Sequence, residues 1–310
     1  MVIKGNIIKK YSIDKDFNFV SLQAFPVIPQ AAPIAGAILG TLVNEFHSDK
    51  YINVTKSKIE VSGSKISVLV FEPKNANKKL PALLYFHGGG FIYKPAPYHY
   101  SLAKAYARYA GCKVIMPDYR LTPKYSYPTP FNDCIQSLKW VVNNASRLNI
   151  DENKIAVAGD SAGGCLAAAL TLYCAENNID ICAQMLIYPV LDSSMQSNSM
   201  QKFYDTPVWN SKLSEKMWNL YLNGKKPDKY ASPALAESFN NIPKTYIETA
   251  EFDSLRDEGI AYANKLKASN VEVELYNTTA TMHGFDMAGK SKIVIKSIGR
   301  RTNFLRECFK

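Results

Sequence analysis

From about residue 58 onward the chain alternates between two hydrophobic rhythms. Runs rich in β-branched and aromatic residues predict strands: "KIEV", "KISVLVFEP", "ALLYFHG", "KVIMPDY", "KIAVAGD", "AQMLIYPV", "KTYIETAEF" and "VEVELYN". Helix-patterned segments such as "YSLAKAYARYAG", "FNDCIQSLKWVVNNASRL" and "DEGIAYANKLKASN" separate most of the later runs. Strands joined through helices build a parallel sheet whose faces are both covered. The expected fold is therefore α/β: a mainly parallel central sheet of about eight strands with helices on both faces. The first strands are joined by short turns and are expected to be antiparallel.

Two segments interrupt the alternation, roughly 1 to 50 and 192 to 240. The second holds "DTPVWNSKLSEKMWNLYL", a helix-like run with Trp209, Met217, Trp218 and Tyr221. Ligands of open α/β sheets bind beyond the carboxyl ends of the strands, so both interruptions are expected there as a helical cap. The domain reading is an N-terminal cap segment, 1–54, and a catalytic domain, 55–310, with 192–240 as a cap insertion. Residues 17–44 carry no charge, but Pro26, Pro29, Gln30 and Pro33 break them up. The continuous apolar part, "AAPIAGAILGTLV", is about 13 residues, too short to span a bilayer. It follows Asp14 and Asp16, unlike a basic leader, so a flap folded onto the domain is expected, with no stable membrane insertion.

The net charge of +10 raises the question of a polyanionic partner. Its lysines and arginines are scattered among acids, which points to a solvated basic surface and no nucleic acid. The six cysteines show no CxxC pair and lie among apolar or small residues, as buried free thiols do, which favours a reducing, cytoplasmic location. With four histidines and no Cys/His cluster, no metal site is expected.

The chemistry gathers around "KIAVAGDSAGGCLAAAL", residues 154 to 170. A strand runs into a helix through G-x-S-x-G, the pattern of a nucleophile elbow. Gly159 and Gly163 would let strand and helix pass closely, and Ala162 and Gly164 would leave room for substrate. Ser161 would sit at a helix N-terminus, where backbone N–H groups favour developing negative charge. "YFHGGGF", residues 85 to 91, directly follows another strand and can aim unobstructed N–H groups at a tetrahedral oxyanion. Gly88 and Gly89, with the N–H of Ala162, are expected to form that hole. His87 is expected to brace the loop.

His283 in "TMHGFDM" follows the last strand, where the order Ser…Asp…His places the general base. In "ETAEFDSLRDEG", Asp253 lies just past a strand and is the expected orienting acid, with Glu251 next. Asp257 and Glu258 fall in the first helical turn, where acids complement the dipole.

The motifs "HGGGF", "DYRLTP", "VAGDSAGG", "DSLRDEG" and "MHGF" occur in an order that resembles the hormone-sensitive-lipase-like branch of the α/β-hydrolases, which includes bacterial carboxylesterases and arylacetamide deacetylases. The resemblance covers about residues 55 to 310. It implies an α/β-hydrolase fold with Ser161 as nucleophile, His283 as base, Asp253 as acid, and Gly88, Gly89 and Ala162 as oxyanion donors. The chain departs from the branch at Thr122 and Lys124 in "YRLTPK", where alanine and glutamate are usual, and at Ser254, where proline is usual.

The expected activity is a serine carboxylesterase acting on a small-molecule ester, and the resemblance implies a short to medium acyl chain. It needs no cofactor. Tyr93, Tyr98, Trp209 and Trp218 are candidates to line the substrate pocket. Amide hydrolysis, as in the deacetylases, is the alternative on the same site. A non-catalytic small-molecule receptor is disfavoured by the intact "MHGF". The basic segment 290–310 fits a final helix packed through Ile293, Val294, Ile298 and Leu305 better than an interfacial helix. Relatives of this kind often pair, so a homodimer stays open.

Overall fold

The computed structural model describes residues 10–21, 47–76 and 78–310. The apolar run "AAPIAGAILGTLV", expected as a flap, lies outside the described residues.

All eight predicted strands form: β1 (Ile52–Val61), β2 (Ser64–Pro73), β3 (Leu80–Phe86), β4 (Lys113–Pro117), β5 (Ile150–Asp160), β6 (Ala183–Ile187), β7 (Thr245–Phe252) and β8 (Val273–Met282). They make one sheet in the order β1-β2-β4-β3-β5-β6-β7-β8. As expected, β1, β2 and β4 pair antiparallel, while β4, β3 and the remaining strands are parallel. The central strands β4 and β6 are buried along their whole length, the signature of a sheet covered on both sides.

The helices among the described residues are α1 (Asn18–Ser21), α2 (Pro97–Ala110), α3 (Thr129–Asn143), α4 (Ala162–Glu176), α5 (Asn198–Lys202), α6 (Ser211–Leu222), α7 (Arg256–Ala268) and α8 (Lys292–Cys308). Local chemistry sets their ends. Pro97 opens α2, and Gly111 closes it in the left-handed conformation. The side chain of Asn210 caps α6 through the N–H of Leu213, and Ser291 caps α8 through that of Ile293. Residues of α3, α4 and α7 share one core with one face of the sheet, together with Met217, Trp218 and Tyr221 of α6. Residues of α2 and α8 and the N-terminal residues Tyr11, Phe17 and Val20 share the other.

The described N-terminal residues are fastened to the carboxyl end of the sheet. Asp14 donates its N–H to Ala280 O at 2.9 Å. Phe17 is fully buried, edge-on to Phe285, and Tyr11 packs on Phe203 and Phe252. Tyr11 O–H and Lys10 Nζ both reach Asp205, so this segment touches the insertion between β6 and β7. Helix α8 packs through Val294, Phe304 and Leu305, with Ile293 and Ile298 half-buried. Its fully buried member Arg301 was not foreseen from the apolar pattern. Among the described residues no helix is long and apolar enough to cross a membrane.

Candidate active site

The candidate residues converge because each follows the carboxyl end of a strand of the one sheet. Phe86 pairs with Gly159, which brings the loop after β3 against the turn after β5. Phe252 pairs with Met282, which sets Asp253 beside His283. The sheet order doubles back at β4-β3-β5, so connections leave in opposite directions and open a crevice at the carboxyl ends there.

Ser161 has φ 55° and ψ −121°, a strained conformation costing on the order of 1–3 kcal/mol. Backbone bonds hold it: its N–H donates to Ile187 O at 2.9 Å, and its carbonyl accepts from Val190 at 3.0 Å. The turn closes only around glycine. A Cβ on Gly159 would stand 2.1 Å from Gly163 O, and one on Gly163 would stand 2.0 Å from Phe86 O. Gly164, expected to leave room for substrate, instead makes room for Pro189, 2.7 Å from where its Cβ would lie.

Ser161 Oγ lies 2.8 Å from His283 Nε2, and His283 Nδ1 lies 2.7 Å from Asp253 Oδ2. Asp253 accepts at Oδ2, so Nδ1 carries the proton and Nε2 is free to accept from the serine. The other carboxylate oxygen takes the N–H of Leu255 at 3.0 Å. All three side chains are buried or nearly so. Glu251, the second choice for the acid, is bound instead to Ala280 N–H at 2.7 Å. A hydroxyl, an imidazole and a carboxylate in one hydrogen-bonded line can remove the hydroxyl proton as the oxygen attacks a carbonyl.

One expected donor is elsewhere. Gly88 N–H lies 3.1 Å from Asp160 Oδ1 and 3.2 Å from His99 Nε2. His99 Nδ1 accepts from Ala96 N–H at 2.8 Å, so Nε2 bears the proton and donates to Asp160 Oδ2 at 3.2 Å. The acceptor of Gly88 is therefore Asp160, and its N–H is not available to an oxyanion. Gly89 and Gly90, at φ 113° and 61°, border the pocket, and their N–H groups and that of Ala162 meet no acceptor among the described residues. Of the three glycine N–H groups of this loop, those of Gly89 and Gly90 are therefore the ones left without an acceptor among the described residues.

Asp160 also accepts from Tyr85 O–H at 2.7 Å and Tyr98 O–H at 3.3 Å. Burial works to raise its carboxyl, but His99 and the bond from Tyr85 outweigh it and hold it below its ordinary value. His87 stacks on Tyr119, its rings 4.5 Å apart, and Tyr119 O–H holds its carbonyl at 2.7 Å. Burial, with His99 beside it, lowers His87 to about 4, so it braces the loop as a neutral ring.

The pocket around Ser161 is small, about 60 Å³. Of the four aromatic candidates, Tyr93, Tyr98 and Trp209 line it. Trp218 does not. It packs near Phe91 and Tyr221 beneath α6, because α6 turns that face to the core. Val208 and Met287 also line the pocket, and no motif or periodicity marks either of them. A larger space of about 730 Å³ shares Tyr98 and Met287 with it but has no hydroxyl–imidazole pair in its wall. Size alone would favour the larger space, whereas the chemistry favours the smaller. No group of three or more His, Cys, Asp or Glu side chains among the described residues could hold a metal.

The departures in sequence leave the frame closed. Arg120 holds Asp133 through two nitrogens, Thr122 Oγ1 bonds Phe91 O, and Ser254 O accepts from Ser199 Oγ at 2.8 Å.

A family model described as an alpha/beta hydrolase fold matches residues 83–287. The arylesterase of Saccharolobus solfataricus is 33% identical over 233 residues, 74% of this chain and 75% of its own length. The carboxylesterase NlhH of Mycobacterium tuberculosis is 33% identical over 71% of each chain. Arylacetamide deacetylase of Bos taurus is 27% identical, covering 78% of this chain and 77% of its own. The crystal structure of esterase LipW from Mycobacterium marinum superposes with a TM-score of 0.90 at 27% identity, over 96% of both chains.

Proposed function

This chain belongs to the alpha/beta hydrolase family, and from that premise we propose that it is a serine carboxylesterase that cleaves small esters of short to medium acyl chain through an acyl-enzyme. The observation that carries this reading is the hydrogen-bonded line from Ser161 Oγ through His283 to Asp253, set on a strained turn.

On this reading Ser161 Oγ attacks the ester carbonyl carbon as His283 Nε2 takes its proton. The carbonyl oxygen becomes an oxyanion held by the N–H groups of Gly89, Gly90 and Ala162, each such donor contributing about 3 kcal/mol. Collapse breaks the bond to the alcohol oxygen, which receives the proton from His283 and leaves. Water then gives a proton to His283 and attacks the acyl carbon. The second tetrahedral species releases the carboxylic acid and returns the proton to Ser161. Asp253 keeps His283 in the productive tautomer and stabilises its cationic form throughout.

Tyr93, Tyr98 and Trp209 would border the bound acyl and alcohol groups. Residues 1–54 and 192–240 would serve as the cap over a catalytic domain of residues 55–310. Six free cysteines favour a reducing, cytoplasmic compartment, and a homodimer remains the assembly to test.

The test is intact-mass analysis after brief treatment with a small fluorophosphonate, comparing the wild-type protein with Ser161→Ala. A single adduct that vanishes in the variant is expected. Failure of the wild type to label would overturn the reading. Matched p-nitrophenyl esters and p-nitroanilides would then separate ester from amide preference, with the esters expected to turn over faster.

A further inference from the structure

Behind the line from Ser161 to Asp253 lies a buried ionic cluster that none of these steps uses. Arg301 of α8 is fully buried. Its Nε donates to Glu248 Oε2 at 2.7 Å, and its Nη1 reaches both oxygens of Asp286, at 2.9 and 3.0 Å. Glu248 also accepts from Arg300, Thr278 and Ser297. Such a cluster is poor value as plain stability, since burying charges costs about as much as their attraction returns, and apolar replacements of similar volume often fold as well. Its effect is geometric: it fixes the place of whatever it touches.

What it touches is Tyr188. Asp286 Oδ2 accepts Tyr188 O–H at 2.7 Å. The backbone of Tyr188 has φ 33°, a region that disfavours side chains, and its N–H is fastened to Glu248 O at 2.5 Å. So anchored at both ends, the Tyr188 ring stands edge-on to the imidazole of His283, with centroids 4.9 Å apart and planes at 63°. Asp286 is also three residues beyond His283 on the same turn, so Arg301 secures that turn directly.

We infer that Tyr188 is a positioning residue for His283, aimed by Asp286 and, through it, by Arg301 of the C-terminal helix. The inference rests on the reading of His283 as general base. A bond from Nδ1 to Asp253 fixes one nitrogen but leaves the ring able to tilt about that bond. An edge contact from a ring that cannot itself turn away removes this freedom and keeps Nε2 on Ser161 Oγ. Misplacing a reacting group by about 1 Å can cost 100-fold, so a partial loosening is expected to cost about tenfold.

Tyr188→Phe keeps the ring and deletes only its anchor. The expected result is kcat lower by about tenfold with KM within about twofold, and fluorophosphonate labelling slowed by the same factor. The thermal midpoint should move by no more than about 2 °C, because Asp286 keeps its bonds to Arg301. Asp286→Asn should also slow labelling, and the double variant should be no slower than the slower single one, since the two act as a unit. Labelling of Tyr188→Phe at the wild-type rate would overturn the inference. So would a loss that only matches a lost folded fraction, or single effects that multiply in the double variant. A wild-type protein that does not label at all sinks the reading of the site instead, which keeps the two failures apart.

Discussion

The amide hydrogen of Gly88 belongs to Asp160, whose Oδ1 lies 3.1 Å away, one residue before the serine. The first glycine of the loop is thereby an anchor, and the N–H groups of the next two meet no acceptor among the described residues. The same carboxylate gathers Tyr85, Tyr98 and His99, so one buried charge ties the loop after β3 to the turn after β5.

Asp160→Asn should accordingly lower kcat by about tenfold or more while changing KM little, because the donors at Gly89 and Gly90 lose their aim. A buried network left partly unsatisfied should also cost about 1–3 kcal/mol of stability. Steady-state kinetics beside a denaturant titration would check both, and an unchanged kcat would refute the anchoring role.

Asp253→Asn should reduce kcat by about 10⁴, since an amide at this position favours the wrong tautomer of His283. The bond from Leu255 N–H can survive the change, so the fold should hold. A loss of less than about tenfold would mean that another group supplies the acid.

Trp209 closes one side of the small pocket. A Cβ on Gly90 would stand 2.7 Å from its ring, and its Nε1 is held by Ser214 Oγ at 2.9 Å. Trp209→Ala should shift preference toward longer acyl chains. Two further buried methylenes, at about 0.8 kcal/mol each, predict a rise of about tenfold in the kcat/KM ratio of hexanoate to butyrate esters. The cavity should cost about 3–5 kcal/mol of stability. A chain-length series that does not change would remove Trp209 from the acyl wall.

Glu258 is buried with Oε1 accepting the N–H of Leu191 at 2.6 Å and Oε2 unpaired among the described residues. Burial pushes its carboxyl well above the ordinary 4.5. The folded chain therefore holds a proton that the unfolded chain releases above 4.5. The stability this group contributes is full below that pH and declines as pH climbs toward the raised folded value. Glu258→Gln, which mimics the protonated form, should gain on the wild type in thermal midpoint as pH rises from about 5 toward that raised value. A constant difference across that range would contradict the shift.

The eight strands were legible because a strand needs a short run of β-branched and aromatic residues, and each run here is bounded by turns or helical patterns. The positions of Ser161, His283 and Asp253 were legible for a related reason: each falls at a strand end, and their chain order matches the order of strands that meet there. The cap was legible only as an interruption. Nothing local in "DTPVWNSKLSEKMWNLYL" told which tryptophan faces the pocket, since both are large, apolar and on one insertion, and the packing of α6 alone sends Trp218 inward. The loop "HGGGF" offered three equivalent glycines, and the choice among their N–H groups was made by Asp160, which is 72 residues away in the chain. Arg301 read as part of a basic surface until the fold brought it between Glu248 and Asp286. Sequence determines what is fixed by neighbours along the chain, namely periodicity, turns and strand ends. Tertiary structure decides which donor is free and which ring faces the base, because those outcomes depend on partners that only folding brings within hydrogen-bonding distance.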